Sequence, residues 1–345
     1  MTKDDYQFAL LGSGSVAKLY VEGIQGCSRA NIAKIVVSER SFARRSSLAL
    51  ELGVDERLLT RSFDEALSDA RIDVVVILTP IHMHAEHLKM CIAAHKDFIV
   101  EKPVVSNTDQ LRRTLPILRA CPVNSLSGQV LRYHKAFATA RALVDAGRLG
   151  DVMFVRADYV ADTVDAVRSG SKSWWKSPDI VEFAVVGGGV HAVDLLRWIA
   201  GEVTEVYAMG HKAVLTDRPW HDTVSVSLRF QGGALGHALV AYAAQGPPSA
   251  ALSVFGTRGT MVNDELFVRD IPNLTDFFQL PLPKLDFKRR DFPAIIDHMI
   301  SCLDGDCQPI SNAYDAALSA AVCLAIARSL AENRPIPMSE FLDDV

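Results

Sequence analysis

Residues 97–105 read DFIVEKPVV, an apolar run that breaks into Glu101, Lys102 and Pro103. A stretch composed like a core strand thus ends on a carboxylate, an ammonium and a residue that cannot continue a sheet ladder. Ligands of open parallel sheets sit at the carboxyl ends of the strands, so Lys102 is expected to point into a cleft. A partly desolvated ammonium there can donate to a substrate oxygen and stabilise negative charge as it develops. Pro103 would fix the backbone exit. Near the start, LLGSGSVAKLY places Gly12, Gly14 and Ala17 in a GxGxxA pattern between an apolar run and a helix. Gly12 permits a tight turn, Gly14 lets backbone approach a pyrophosphate, and Ala17 allows close helix packing. Ser13, Ser15 and Val16 complete a loop at the positive end of the helix. With strand before and helix after, the pattern predicts dinucleotide binding. The next strand ends VVSERS, which sets Glu39 where an acid bonds the adenosine ribose and repels a 2′-phosphate. NAD is the expected cofactor. Ser38 and Arg40 are residues a 2′-phosphate pocket would use, so NADP stays open.

The elements that must hold these residues are legible in the pattern. Apolar runs at 8–11, 32–38, 73–80 and 97–100 alternate with helix signals at 16–25, 42–53, 63–69 and 84–96. Continuous Val/Ile/Leu strands between helices predict a parallel sheet covered on both faces, a doubly wound α/β domain over residues 1–123. Beyond it, VMFVRADYV (152–160), VTEVYAMGHKAV, TVSVSLRF, ALGHALVAYAA and ALSVFG have strand composition, the last three joined by Gly/Pro-containing turns. Strands without intervening helices predict an antiparallel sheet, hence an α+β domain over 124–345. Helices are expected at 135–147, 190–200, 290–304 and 313–332, and a long loop between Pro272 and Phe287.

A chain of 345 residues with 49% apolar content supports two cores. Its net charge of −5 supplies no basic field for nucleic acid or an anionic membrane. Lys288-Arg289-Arg290, flanked by acids, reads as a solvated face. No apolar stretch approaches the roughly 18 to 20 residues of a membrane span. The first residues lack the pattern of a signal peptide, and six scattered cysteines, with Cys302 and Cys307 the only close pair and no zinc spacing, fit reduced thiols in a cytoplasm.

His82, His84 and His87 in HMHAEH lack a carboxylate or cysteine partner, so no metal is expected there. Adjacent Trp174 and Trp175 can stack on a sugar ring or plug a core; Trp175 is kept as a substrate candidate. Arg132, Arg156 and Arg168 can meet an anionic group, though a surface ion pair suits each better, and Arg132 is retained. No GxSxG supports a hydrolase.

EKP preceded by TPIHMHAEHLKMCIAAHKDFIV resembles the glucose–fructose oxidoreductase/inositol dehydrogenase/rhizopine catabolism (Gfo/Idh/MocA) family. The resemblance continues through AGRLGDVMFVRADY, GGGVHAVDLLRWIAG, DTVSVSLRFQGGALG, VFGTRGTMV and the C-terminal segment. It implies an NAD(P)-dependent oxidoreductase with a Rossmann domain and a large-sheet substrate domain that often mediates oligomers, here a homodimer or homotetramer. It also places Thr79, Pro80, His84, Glu101 and Lys102 at the cofactor. His191 matches the family's proton-moving histidine, a role suited to a pKa near working pH. The substrate would be a small carbohydrate-like alcohol or ketone. The family usually has an aspartate four residues before this histidine; here that place is Gly187, which therefore faces the substrate without a carboxylate. Glu182, Asp179 or Tyr159 are the substitutes to look for. The departure keeps a catalytically silent dinucleotide sensor as the alternative, and a redox-neutral glycoside hydrolase with tightly held NAD as a third.

Overall fold

The computed structural model describes residues 3–169, 180–287 and 291–343. They form two compact units. The first takes residues up to 105, 110–130 and 291–317; the second takes 106–109, 131–287 and 318 onward. The division therefore crosses the chain several times rather than once near residue 123, because the segment around 291–317 returns to the first unit.

The first unit carries a six-stranded sheet of β1 (Tyr6–Leu11), β2 (Ala30–Val36), β3 (Leu59–Thr60), β4 (Val74–Ile77), β5 (Asp97–Val100) and β6 (Ser125–Ser127). All pairs are parallel, in the order β3-β2-β1-β4-β5-β6. Every residue of Val74–Ile77 is buried, as helices on both faces require. The order reverses between β1 and β4, which makes the carboxyl ends of those two strands the crevice where such sheets bind dinucleotides. The ladder runs one residue past the strands at this edge: Gly12 donates to Val36 O, Leu78 to Leu11 O and Glu101 to Ile77 O, at 2.8–3.0 Å.

The second unit is built on a nine-stranded sheet: β7 (Val152–Val160), β8 (Val203–His211), β9 (Thr223–Phe230), β10 (Leu235–Ala241), β11 (Ser249–Gly256), β12 (Gly259–Val262), β13 (Glu265–Val268), β14 (Phe278–Gln279) and β15 (Ile336–Pro337). Its order is β14-β13-β12-β11-β7-β10-β9-β8-β15, antiparallel except for β10 on β7. Strict alternation in TVSVSLRF buries Val224, Val226, Leu228 and Phe230 on one face. The Val190–Ala200 helix packs on β7 and β10.

Three features differ from the sequence reading. The expected loop after Pro272 contains β14, whose Phe278 pairs with Leu266. A π-helical turn, Ala184–Gly189, precedes the Val190–Ala200 helix. The Ala313–Glu332 helix does meet the length and hydropathy of a membrane span, yet 72% of that window is buried in the protein, as in a core helix. Its many alanines raise mean hydropathy while serving close packing.

Candidate active site

At the end of β1 the chain turns through Gly12 at φ 115°, a left-handed geometry that disfavours a side chain. A Cβ there would also lie 2.8 Å from Leu78 O. Gly14 O accepts from Ala17 N at 3.0 Å as the Ala17–Gly26 helix begins, and Ala17 is fully buried. Ser13, Ser15 and Val16 lie in this strand-to-helix turn. The first turn of the helix carries no acidic residue to compete with an anion. The geometry fits a pyrophosphate. Glu39, just beyond β2, opens a short helix capped by Ser38. Its carboxylate is exposed and paired with Arg61 at 2.8 and 3.0 Å. Arg40 is exposed beside it.

The EKP segment leaves β5 with the Lys102–Pro103 peptide cis. Glu101 is buried. Tyr20 donates to its Oε1 at 3.0 Å and the Lys102 amide to its Oε2 at 3.2 Å. A Cβ on Gly128 would stand 2.6 Å from that Oε1, so the carboxylate lies directly on the Gly128 backbone. Glu101 thus joins the phosphate-loop helix to the lysine turn. His84 joins the other two strand ends: Nδ1 lies 2.8 Å from Pro103 O and Nε2 2.8 Å from Thr79 O. Burial pushes the His84 pKa down to about 4 against the upward pull of the two carbonyls. A neutral ring has one N–H and donates to one of them at a time. Thr79 Oγ1 lies 2.9 Å from His87 Nδ1, and burial lowers His87 as well. His84 and His87 therefore brace this edge through Thr79 and Pro103.

In the second unit His191 is buried in the first turn of its helix, with the Tyr159 ring of β7 at 5.5 Å and 31°. Tyr159 leads into an aromatic group: Tyr242 at 6.2 Å, Phe287 at 6.0 Å, then Phe183 and Trp220 around Tyr242 at 5.9 and 6.5 Å. The three glycines let the π-turn lie directly on this group. A Cβ at Gly187 would come within 2.7 Å of the Phe183 ring, one at Gly189 within 2.6 Å of Val240, and one at Gly188 would coincide with the Tyr242 hydroxyl. Aromatic carbon thus occupies the space beside Gly187, where the usual carboxylate would branch off. Of the substitutes, Glu182 receives the backbone and ring N–H groups of His221, both at 3.1 Å, from a left-handed conformation of φ 43°. Asp179, like Trp174 and Trp175, lies outside the described residues. Tyr159 is the one beside the histidine ring.

Arg132 is buried rather than at the surface. It makes a bidentate ion pair with Asp194 at 2.7 and 2.7 Å and lies over the Trp198 ring. Ser319 donates to Asp194 at 2.9 Å and Arg197 to Ser319 at 2.7 Å. This network clamps the helix that bears His191. Arg156 pairs with Asp158. Tyr242, Trp220 and Phe183 were not anticipated; the signal available was the triple glycine, which marks a close approach of unknown partner.

Together the reversed strand order, the glycine cradle and the α+β second domain define a two-domain NAD-binding oxidoreductase. Residues 6–123 match the oxidoreductase family with NAD-binding Rossmann fold, and 137–262 match the GFO/IDH/MocA C-terminal domain. The chain belongs to the Gfo/Idh/MocA family. It is 24% identical to inositol 2-dehydrogenase of Rhizobium meliloti (strain 1021), over 96% of this chain and 99% of that one. The solved structure of levoglucosan dehydrogenase in complex with NADH superposes with a TM-score of 0.84 at 21% identity, covering 97% of this chain and 99% of its own. That of an oxidoreductase from Agrobacterium radiobacter, in complex with NAD+, L-tartaric acid and magnesium, gives 0.82 at 19%, covering 97% and 99%.

Proposed function

We propose that the protein is an NAD-dependent dehydrogenase or reductase acting on a sugar- or polyol-like alcohol/ketone pair. The observation that carries this reading is the clasped lysine turn beside the glycine cradle: Glu101, Tyr20 and His84 hold the segment that presents Lys102. The nicotinamide, when bound, supplies the hydride chemistry. Lys102 donates to the substrate oxygen and lowers the cost of alkoxide character there. His191 takes the hydroxyl proton on oxidation and returns it on reduction. Tyr159 positions the imidazole where the family has an aspartate. Glu39 receives the ribose hydroxyls, and the phosphate-loop amides from Ser13 to Val16 receive the pyrophosphate. The relatives named for inositol and levoglucosan chemistry support a polyhydroxylated substrate. A second copy of the chain is the proposed partner, docked on the open face of the nine-stranded sheet, where Phe154 and Phe255 pack at 6.0 Å and Leu235 is exposed.

The aromatic carbon beside Gly187 favours a second reading, a dinucleotide-binding sensor without turnover. Titration with NADH and NADPH by fluorescence, followed by a screen of inositols, sugars and sugar acids at 340 nm, separates the two. NADH binding with turnover supports the dehydrogenase. Binding without turnover on any polyol supports the sensor, and failure to bind either nucleotide refutes both.

A further inference from the structure

The Phe292–Asp304 helix ends on Gly305 at φ 83°, and the chain then doubles back so that Cys307 meets the last turn. Cys302 Sγ and Cys307 Sγ stand 3.7 Å apart. His298, one turn earlier, lies against both, with Nε2 3.7 Å from Cys302 Sγ and Nδ1 3.6 Å from Cys307 Sγ. Ile310 N–H donates to Nε2 at 3.1 Å. That bond fixes the tautomer: Nε2 accepts, so the ring proton sits on Nδ1, facing Cys307. Burial lowers the His298 pKa, which keeps the ring neutral at neutral pH.

The three side chains lie close enough to surround a soft metal ion. The imidazole argues against that use. One nitrogen is taken by a backbone amide, the other carries the proton, and each sulfur faces a different nitrogen. Coordination would require the ring to lose a partner or a proton. The arrangement suits sulfur chemistry instead. Cys307 is half-buried between exposed Asp306 and Gln308, whereas Cys302 is buried. Burial, with the hydrogen bond and charge of Cys307 beside it, pushes the Cys302 thiol up to about 12. Cys307 is therefore the sulfur that reacts first, and Cys302 the one that follows.

We propose that Cys302 and Cys307 form a reversible thiol–disulfide couple, with Cys307 attacking a low-molecular-weight disulfide and His298 positioning its sulfur. In the first step the Cys307 thiolate attacks one sulfur of the small disulfide. The external S–S bond breaks, leaving a mixed disulfide on Cys307 and releasing a thiolate. That thiolate takes the proton of Cys302, whose sulfur attacks Cys307 Sγ and expels the second small thiol. Two protein thiols lose two electrons and two protons, and one small disulfide becomes two thiols. The sulfurs need only close from van der Waals contact to about 2.05 Å.

The couple sits on the helix that braces the phosphate-loop helix: Phe292 packs edge-on to Tyr20 at 4.8 Å, and Asp304 binds Tyr6 and Arg29 at 2.8 and 2.6 Å.

The test treats the full chain with oxidised glutathione, then alkylates and maps the peptides. The expected result is a 302–307 cross-link, two hydrogens lighter than the dithiol and reversed by reduced glutathione. Cys302→Ser should trap a glutathione adduct on Cys307, and Cys307→Ser should abolish both products. His298→Gln should slow adduct formation severalfold at neutral pH and not at alkaline pH, where the thiol ionises unaided. Unchanged melting in each variant would show that the fold is kept. Cys302 and Cys307 both remaining open to alkylation at saturating oxidised glutathione would overturn the proposal. So would one equivalent of Zn2+ alone shielding both cysteines from alkylation.

Discussion

Lys102 follows a strand whose last three residues are fully buried, and its backbone is held on one side by Glu101 and on the other by His84 through Pro103. A side chain so anchored contributes through direction as well as charge. Lys102→Ala is expected to lower kcat/KM about a hundred- to a thousandfold, the range for removing one stabilising donor. NADH affinity measured by fluorescence should stay nearly unchanged, since the groups proposed to hold phosphate and ribose, the 12–17 loop and Glu39, lie elsewhere. His191→Gln should cost about a hundred- to ten-thousandfold and flatten the pH–rate profile. A full-rate His191→Gln enzyme would remove the proton-transfer role. Glu39 tests the cofactor assignment. Its carboxylate should repel a 2′-phosphate, so Glu39→Ser is expected to reduce the preference for NADH over NADPH about tenfold, read from the two dissociation constants.

At the scale of the element, the π-turn and the helix after it are shaped by what they cannot contain. Gly187→Asp restores the family's usual carboxylate but drives a Cβ into the Phe183 ring, so overpacking of about 1–3 kcal/mol is expected in denaturant unfolding, with no gain in kcat. A variant that is both stable and faster would mean that Phe183 yields easily. The same helix is clamped by the buried Arg132–Asp194 pair. Asp194→Asn leaves the guanidinium without its charge partner and should cost about 3–5 kcal/mol. Replacing both with apolar residues of similar volume should cost less than either single change, because no uncompensated charge remains. Thermal melts of the three variants check this order.

Across the whole molecule, acid stability reports on a buried carboxylate with no proposed part in the chemistry. Asp222 is fully buried between β8 and β9 and accepts from the amides of Ala213, Val214 and Leu215 at 2.7–3.0 Å. Burial pushes its pKa up, but the three N–H groups outweigh it and hold the carboxyl below its ordinary value of 3.8. A folded pKa below the unfolded one stabilises the protein at pH values above about 4, and the benefit is lost as pH falls through the folded value. Asp222→Asn should therefore lose on the order of 2 kcal/mol at pH 7. The gap to the parent protein should narrow towards pH 3, measured by urea unfolding at both values.

How much of this was legible before folding varies with the residue. The parallel sheet and its cofactor turn were legible because they depend on local rules: fully buried strands are continuously apolar, and a phosphate turn needs glycine at Gly12 whatever lies around it. The antiparallel sheet was legible from strands that follow one another without helices between them, and the return of residues 291–317 to the first unit was not, because no local pattern encodes which core a helix joins. The same limit applies at the site. Lys102 and His191 stand out through the family resemblance, which also shows that a carboxylate is missing at Gly187. What occupies the space beside Gly187 comes from Phe183 and Tyr242, the latter more than fifty residues away. Arg132 read as a surface ion pair or a substrate contact, and tertiary structure made it a buried clamp on Asp194. Cys302 and Cys307 were a close pair in sequence, but only the turn at Gly305 brings their sulfurs and His298 together. Sequence determined the chemistry each residue can perform. Packing decided which of those groups meet, because distance and desolvation are properties of the folded chain alone.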